Sequence, residues 1–98
     1  MKIRVLGTGS WGSALAQTLA DNGNDVVMWG IDDNEINDIQ NNHHNTKYFD
    51  AEINPAVQAT NDIQCVRDAD IILVAVPSGA LESVLKKVCD LTGKKVII

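Results

Sequence analysis

Three glycines near the start of the chain, spaced as G-x-G-x-x-G, constrain its fold more than any other feature of the sequence. They are Gly7, Gly9 and Gly12, and they stand between the apolar run Lys2–Leu6 and a helical pattern. In a dinucleotide-binding loop the first glycine allows the tight turn off a strand, and the second lacks the Cβ that would hold a pyrophosphate away from the backbone. The third lets the following helix lie close to the sheet, with its free N–H groups toward the phosphates. The glycines alone are a weak signal, so the interpretation depends on the segments around them.

The segments on either side of the glycines match the strand-helix-strand context of such a loop. Lys2–Leu6 and Asp25–Trp29 are short apolar runs, which predict two parallel strands buried on both faces. Between them, large apolar side chains recur every fourth residue with small ones beside them, which predicts a helix. These residues are Trp11, Leu15 and Leu19, with Ala16 and Ala20 as the small face. Asn22 and Gly23 end the predicted helix, with Gly23 as a left-handed cap.

Strands and helices continue to alternate through the rest of the chain. The predicted segments are a third strand at residues 57–60, a brief helix at 61–67, a buried fourth strand at 71–76, a helix from Ser78 and a fifth strand from Val96. This alternation predicts an α/β fold, a Rossmann-type doubly wound parallel sheet with strand order 3-2-1-4-5, truncated after the fifth strand. Ligands bind such sheets beyond the carboxyl ends of the strands. We therefore expect Pro77, which ends the fourth strand, to face the same crevice as the glycine loop.

The residues just after the second strand leave two interpretations open. Asp32 lies about 20 residues beyond the last glycine of the motif, where a dinucleotide-binding fold commonly places an acid that binds the adenosine ribose. Asp32 with Glu35 also has the pattern that begins a helix, whose apolar face would include Ile36 and Ile39. Gly30 has no side chain that could reach the ribose. Asp32 is therefore predicted to be either a ribose-binding residue or a helix cap.

The composition of the chain limits which class of protein it belongs to and which kinds of partner it can bind. The 98 residues suit a single domain, and the hydrophobic content of 45% can supply its core. A net charge of -5 and a pI near 4.7 argue against nucleic acid or an anionic membrane as partner. No apolar run reaches the roughly 20 residues of a membrane helix, and the N-terminus lacks the features of a signal peptide. We therefore expect a cytoplasmic protein that neither binds nucleic acid nor inserts into a membrane.

Cysteines and histidines give no indication of a metal or redox site. Cys65 and Cys89 are widely separated, fall on predicted helices and form no CxxC pair, so we interpret them as half-buried apolar residues. His43 and His44 lie in residues 41–55, which we interpret as a polar loop, and no cysteine or carboxylate pattern completes a metal site around them. The sequence therefore predicts no metal ligand.

Five stretches of the sequence together resemble one enzyme family. They are V-L-G-T-G-S-W-G at residues 5–12, S-A-L-A at 13–16, V-V-M-W-G at 26–30, N-T-K-Y at 45–48 and D-A-D-I-I-L-V-A-V-P-S at 68–78. The chain resembles, along its whole length, the opening of bacterial NAD(P)-dependent glycerol-3-phosphate dehydrogenases, and covers about the first third of such an enzyme. The Ser-Trp pair inside the glycine loop and the later V-A-V-P-S turn are much more specific than the glycines alone.

The resemblance implies an activity and a set of cofactor contacts. Enzymes of this family interconvert dihydroxyacetone phosphate and sn-glycerol 3-phosphate, the entry to glycerophospholipid synthesis, by passing hydride between the nicotinamide and the carbonyl carbon. By the same resemblance, Ser10 and Trp11 contact the cofactor phosphates through backbone and hydroxyl, and Tyr48 lies near the cofactor. Each aromatic residue also has a structural alternative, Trp11 as a helix-packing side chain and Tyr48 as a loop anchor. The predicted cofactor-binding residues are thus Gly7, Gly9, Ser10, Trp11, Gly12, Ile31, Asp32, Tyr48 and Pro77.

The sequence departs from the family pattern after the second strand. Family members that prefer NADP often carry Arg or His there, whereas this chain has Ile31 followed by Asp32. An aspartate would repel a 2′-phosphate, because like charges about 4 Å apart cost roughly 1 kcal/mol even in bulk water. We therefore expect a preference for NADH over NADPH.

The chemical residues of the family have no counterpart among these 98 residues. In the family, the lysine that closes on cofactor and substrate follows the fifth strand, and the other catalytic residues lie in a helical C-terminal domain. Residues 1–98 are therefore expected to form a dinucleotide-binding domain without that catalytic domain, to bind nucleotide and to catalyse nothing. Residues 96–98 would leave an apolar strand at an exposed sheet edge, a place for pairing with another copy. Two alternatives remain: a regulatory NAD(H)-sensing domain of the potassium-transport type, and another small-acid dehydrogenase.

Overall fold

A parallel sheet of five strands forms the centre of the molecule in the computed structural model, which describes residues 1–45, 49–76, 78–92 and 96–97. The strands are β1 (Lys2–Leu6), β2 (Asp25–Trp29), β3 (His44–Asn45), β4 (Phe49–Glu52), β5 (Gln58–Thr60), β6 (Ile71–Val74) and β7 (Val96–Ile97). The helices are α1 (Ser10–Asp21), α2 (Asp33–Asn37) and α3 (Ser78–Thr92), with a π-helical turn at Asp38–Asn42 and a 3₁₀ helix at Ile63–Asp68.

The strand order in the sheet is β5-β2-β1-β6-β7, and each neighbouring pair is parallel. Without the separate β3–β4 pair, this is the predicted order 3-2-1-4-5, so the Rossmann-type fold is confirmed. β1 lies between β2 and β6, and Leu6 at its end is in register with Trp29 and with Val74. The carboxyl ends of these three strands therefore lie side by side at the switch point of the sheet.

Apolar side chains of β1 and β2 alternate between two hydrophobic cores, one on each face of the sheet. The core on the α1 face contains Ile3, Val5, Ala16, Ala20, Val26, Met28, Ile39, Ile53 and Val57. The core on the α3 face contains Leu6, Trp29, Val66, Ala69, Ile72, Val84 and Val88. Because both faces are covered, these strands are nearly unbroken apolar runs in the sequence.

Helix α1 packs on the sheet through small side chains and not through its largest ones. Its buried residues are Gly12, Ser13, Ala16 and Ala20. Leu15 and Leu19 are half-buried, and Trp11 is 73% exposed. The predicted apolar stripe was therefore wrong at Trp11. Short side chains let the helix lie close to the sheet, which turns the larger residues toward the flank of the helix or into solvent.

The segment predicted as a polar loop, residues 41–55, contains regular structure instead. The π-helical turn is followed by His43, whose φ of 54° is left-handed, and β3 and β4 then form an antiparallel pair. The N–H of Ile53 donates to the His43 carbonyl over 2.7 Å, and the Asn54 side-chain amide donates to the Asp21 carboxylate of α1 over 2.9 Å. Strands of two and four polar-rich residues show no alternation that a sequence pattern can detect, so tertiary contacts decide them.

Several boundaries and exposures also differ from the expectations. β6 ends at Val74, short of the predicted residue 76, and β5 begins at Gln58, one residue later than predicted. Cys65 is half-buried as predicted, but Cys89 is exposed because it lies on the outer side of α3; both thiols are free. Gly23 has φ +86° after α1, which confirms the left-handed cap. None of the described helices is long and apolar enough to cross a membrane.

Candidate cofactor-binding site

The glycine loop lies where the ends of three strands meet. The N–H of Gly7 donates to the Trp29 carbonyl at the end of β2 over 2.8 Å. The N–H of Ala75, just after β6, donates to the Leu6 carbonyl at the end of β1 over 2.8 Å. These two backbone hydrogen bonds therefore hold the start of the loop between β2 and β6, the two neighbours of β1 in the sheet. This is the crevice in which doubly wound sheets bind their ligands.

Gly7 and Gly12 are positions where the protein itself leaves no room for a side chain. Gly7 has φ +134°, and a Cβ there would lie 2.5 Å from the carbonyl oxygen of Ala75. A Cβ on Gly12 would overlap the carbonyl of Gly7. These two glycines therefore determine the shape of the loop and the close approach of α1 to it.

Gly9 differs from the other two, because no contact with the described residues requires a glycine there. Its backbone is extended, with φ -74° and ψ -171°, a conformation that any residue adopts. Apart from its two neighbours in the chain, no atom of the part of the protein that the structure describes would lie within 4 Å of a Cβ built on Gly9. The missing side chain leaves open the space in front of α1. A ligand that must approach the backbone closely explains a glycine at this position.

The start of α1 faces that space and suits an anion. Gly9 is the N-cap residue of this 12-residue helix and supplies no side-chain cap, and the first turn carries no acidic residue. The N–H groups of a first helical turn lack partners within the helix, and the helix dipole adds positive potential there. The geometry therefore fits the diphosphate of a dinucleotide.

Trp11 lies in the first turn of α1 with its side chain in solvent. An indole packed between helix and sheet would be buried, whereas this one is 73% exposed. The helix-packing alternative for Trp11 is therefore wrong, and the indole is available to a ligand at the loop. For Ser10 the structure describes the backbone, which begins α1, and not the side chain.

The end of β2 carries an exposed apolar residue followed by a capping carboxylate. Ile31 is 84% exposed. Asp32 is the N-cap of α2, where its Oδ1 accepts hydrogen bonds from the N–H of Asn34 over 2.9 Å and of Glu35 over 3.4 Å. The helix-cap interpretation of Asp32 is thus confirmed. A ribose contact by Asp32 stays a prediction.

Two residues that the sequence did not single out for the site join the loop to α2. Thr8 Oγ1 donates to Glu35 Oε1 over 3.2 Å, although the residues are 27 positions apart. The available sequence signal was the D-x-x-E pattern from Asp32 to Glu35, which we interpreted only as the start of a helix. The contact with Thr8 depends on where the loop and α2 meet in the fold.

Tyr48 and Pro77, which were also predicted to bind the cofactor, lie outside the described residues. The other predicted residues fall in two connections of the chain, the glycine loop after β1 and the turn after β2. Since β1 and β2 are parallel neighbours, both connections lie at the carboxyl edge of the sheet. The structure therefore brings together the glycines, Trp11, Ile31 and Asp32.

A cavity of about 440 Å³ lies beside β5, and no residue of the glycine loop lines it. Its wall includes Arg4, whose side chain is 6% exposed. The Nε of Arg4 donates to the Cys65 carbonyl over 2.9 Å, and its Nη1 lies 3.8 Å from an Asp25 carboxylate oxygen.

Burial raises the pKa of the Cys65 thiol from 9.0 to about 11, although the positive charge of Arg4 lowers this pKa by a smaller amount. Within the described ranges, no three His, Cys, Asp or Glu side chains are grouped to hold a metal ion.

Comparison with known sequences gives matches over almost the whole chain. The profile of one family, the N-terminus of NAD-dependent glycerol-3-phosphate dehydrogenase, matches residues 2–98. The glycerol-3-phosphate dehydrogenase (NAD(P)+) of Macrococcus caseolyticus is 41% identical over 97 residues, and that of Lactobacillus johnsonii is 47% identical over 97 residues. These matches cover 97% and 94% of this chain but 29% of each relative. The chain thus spans less than a third of the length of these relatives.

Solved structures show the same similarity in three dimensions. The crystal structure of glycerol-3-phosphate dehydrogenase from Coxiella burnetii superimposes with a TM-score of 0.87 at 30% identity, covering 97% of this chain and 30% of that one. A UDP-D-ManNAc dehydrogenase from Pyrococcus horikoshii superimposes with a TM-score of 0.81 at 23% identity, covering 98% of this chain and 27% of that one. The second similarity shows a shared fold alone.

Proposed function

Since the chain belongs to the family of NAD-dependent glycerol-3-phosphate dehydrogenases, matching their N-terminal part, we propose that residues 1–98 form a dinucleotide-binding domain that holds NAD(H) at the carboxyl edge of the sheet. The observation that carries this proposal is Gly9, where no contact with a residue of the described ranges requires a glycine and the space in front of α1 is open. The matches described above give no support to a potassium-transport-type sensing domain or to another small-acid dehydrogenase.

The binding residues are proposed from their places around the loop. The N–H groups at the start of α1 would bind the diphosphate, and Trp11 would contact the cofactor from the first turn. Ile31 and Asp32 would lie at the adenosine end, because the ribose in such folds lies beyond the second strand. The roles of Ser10 through its hydroxyl, and of Tyr48 and Pro77, rest on the family resemblance.

The reaction is proposed to be the reduction of dihydroxyacetone phosphate to sn-glycerol 3-phosphate, with a role in glycerophospholipid synthesis. The nicotinamide, when bound, supplies the hydride chemistry. This chain's residues bind and orient the cofactor, and we assign no catalytic residue to them. The catalytic groups are proposed to belong to a helical C-terminal domain outside residues 1–98. The 98-residue chain is therefore expected to show no turnover; oxidation of NADH that depends on dihydroxyacetone phosphate would contradict this.

The carboxylate of Asp32 supports a preference for NADH over NADPH, because a 2′-phosphate at the end of β2 would meet like charge. Titration of the chain with each reduced cofactor measures the preference directly, and tighter binding of NADPH would refute it.

The proposed binding site is tested by titrating NADH fluorescence against the wild-type chain and Gly9→Val. The valine side chain would fill the open space before α1, so NADH binding should weaken roughly tenfold or more. The chain should stay folded, because the loss of a glycine N-cap lowers the free energy of unfolding by only about 1 kcal/mol. Ala56→Val, at an exposed turn far from the loop in sequence, is the control and should bind like the wild type. A folded wild-type chain that binds no NADH would contradict the function. Unchanged binding by Gly9→Val would contradict the site.

The cytoplasm stays the predicted location of the protein. Its two cysteines, Cys65 and Cys89, are free thiols. Unpaired thiols support a reducing compartment, because disulfides form and persist mainly in oxidising ones.

A further inference from the structure

A hydrogen bond between Thr8 and Glu35 connects the glycine loop to the start of α2. Thr8 stands between Gly7 and Gly9, is 8% exposed, and donates through Oγ1 to Glu35 Oε1 over 3.2 Å. Glu35 is half-buried, and its carboxylate reaches the loop through this hydrogen bond. A negatively charged group is therefore built into the crevice next to the proposed diphosphate site.

The absence of a side chain at Gly30 makes room for this contact. A Cβ built on Gly30 would lie 2.5 Å from Thr8 Cγ2 and 2.8 Å from Thr8 Oγ1. Gly30 is held in place at the end of β2, since its N–H donates to the Thr60 carbonyl over 3.1 Å. The Thr8 side chain is therefore seated directly over the end of β2, with its hydroxyl toward Glu35.

Asp32 holds Glu35 from the other side. Its Oδ1 accepts from the Glu35 N–H over 3.4 Å as part of the α2 cap, and the next residue, Ile36, is buried. Glu35 is thus fixed at its backbone by the cap and at its carboxylate by Thr8. Its charge has a defined position between the ends of β1 and β2.

We propose that Glu35, positioned by Thr8, is a specificity-determining residue that disfavours a phosphate on the adenosine ribose. This inference rests on the proposed function. In doubly wound folds the adenosine ribose lies beyond the end of the second strand, which is the place that Thr8, Gly30 and Glu35 share. A carboxylate there accepts hydrogen bonds from ribose hydroxyls, whereas it repels the added charge of a 2′-phosphate. Glu35 and Asp32 then act together on cofactor choice.

The test compares the affinities for NADH and NADPH of wild type, Glu35→Gln and Thr8→Val by fluorescence titration. Glu35→Gln removes the charge but keeps an oxygen that accepts from Thr8, so NADPH should bind about fivefold more tightly relative to NADH. Thr8→Val keeps the charge and nearly the same shape but releases the carboxylate, so the ratio should move in the same direction by a smaller factor. Thr8→Ser restores the hydroxyl and should restore the wild-type ratio.

Asp90→Asn is the matched control, because it removes one negative charge from an exposed position near the far end of α3. Its NADPH-to-NADH ratio should equal that of the wild type. If the folded wild-type chain binds neither cofactor, the proposed function fails. If it binds NADH and Glu35→Gln leaves the ratio unchanged, the inference about Glu35 is overturned. If Thr8→Val leaves the NADPH-to-NADH ratio unchanged, the positioning role of Thr8 is overturned. If Glu35→Gln does not fold, the ratio measured for Thr8→Val alone decides the inference.

Discussion

The glycines of the loop differ in how much an added side chain would destabilise the folded protein. Gly7 combines φ +134° with a carbonyl oxygen 2.5 Å from the place of a Cβ, whereas Gly9 has an ordinary extended backbone and open space. Gly7→Ala is therefore expected to lower the free energy of unfolding by about 2–4 kcal/mol. Gly9→Ala should change it by less than about 1 kcal/mol. Urea unfolding followed by circular dichroism measures both, and equal losses in the two variants would contradict this division of roles.

The two thiols are expected to react at very different rates. Burial raises the pKa of Cys65 to about 11, and Cys89 is exposed on α3. At pH 8 a thiol with that pKa is about 0.1% thiolate, so a disulfide reagent should modify Cys89 rapidly and Cys65 only slowly. Cys89→Ser should remove the fast phase, and unfolding in guanidinium chloride should expose the second thiol. Two native thiols that react at one rate would refute the buried environment of Cys65.

The raised pKa of Cys65 also predicts how the stability of the folded protein changes with pH. The folded-state pKa of Cys65 is raised from 9.0 to about 11, so ionisation favours the unfolded chain once the pH exceeds 9. The contribution of the protonated thiol is fully present below pH 9 and is lost as the pH rises toward 11. Cys65→Ala should lessen this part of the alkaline loss of stability in urea unfolding experiments.

At the scale of elements, α2 depends on one carboxylate at its start. Asp32 caps the helix by accepting from two backbone N–H groups, and asparagine serves as an N-cap nearly as well as aspartate. Asp32→Ala should therefore lower the free energy of unfolding by about 1 kcal/mol, and Asp32→Asn by only a few tenths. Thermal and urea unfolding measure both changes. Equal losses in the two variants would mean that charge, and not capping, is what Asp32 contributes.

The two strands on either side of the glycine loop and its helix were predicted with the right bounds. β1 and β2 match the structure end to end, and the helix after the glycines is followed by the predicted left-handed Gly23. The face that α1 buries was mispredicted at Trp11, because close approach of the helix selects small side chains over large ones. The β3–β4 pair was missed because strands this short are held by contacts with α1 and the π-helical turn.

At the scale of the whole molecule, the two ends of the sheet differ. At β5, the N–H of Ala59 donates to the side-chain oxygen of Gln40 over 2.8 Å, so a side chain occupies a backbone donor of that end strand. At the other end of the sheet, among the strands that the structure describes, β7 pairs with β6. A strand with an unpaired edge is a template for pairing with another chain. Self-association through β7 stays a prediction of the sequence, which places an apolar strand at that end of the sheet.

Sedimentation velocity over a range of concentrations tests that prediction. The wild-type chain should form dimers or larger species as concentration rises, and Ile97→Lys should shift it toward monomer, because edge lysines oppose strand pairing. Ser83→Lys adds the same charge at an exposed position of α3 and is the control. A wild-type chain that stays monomeric at the highest concentration would contradict self-association.

The sequence by itself determined that the strands of the central sheet alternate with helices and that a loop of three glycines follows the first strand, because both depend on periodicity or on backbone freedom over a few residues. The strand order then followed from the topology rules of doubly wound parallel sheets. Tertiary structure decided which glycines the protein needs for its own packing, since only the meeting of β1, β6 and α1 crowds Gly7 and Gly12 and leaves Gly9 open. It also decided that Trp11 faces solvent and that Glu35 meets Thr8 across 27 positions. Contacts between residues far apart in the chain leave no local pattern, so they can be known only once the sheet has brought its connections together.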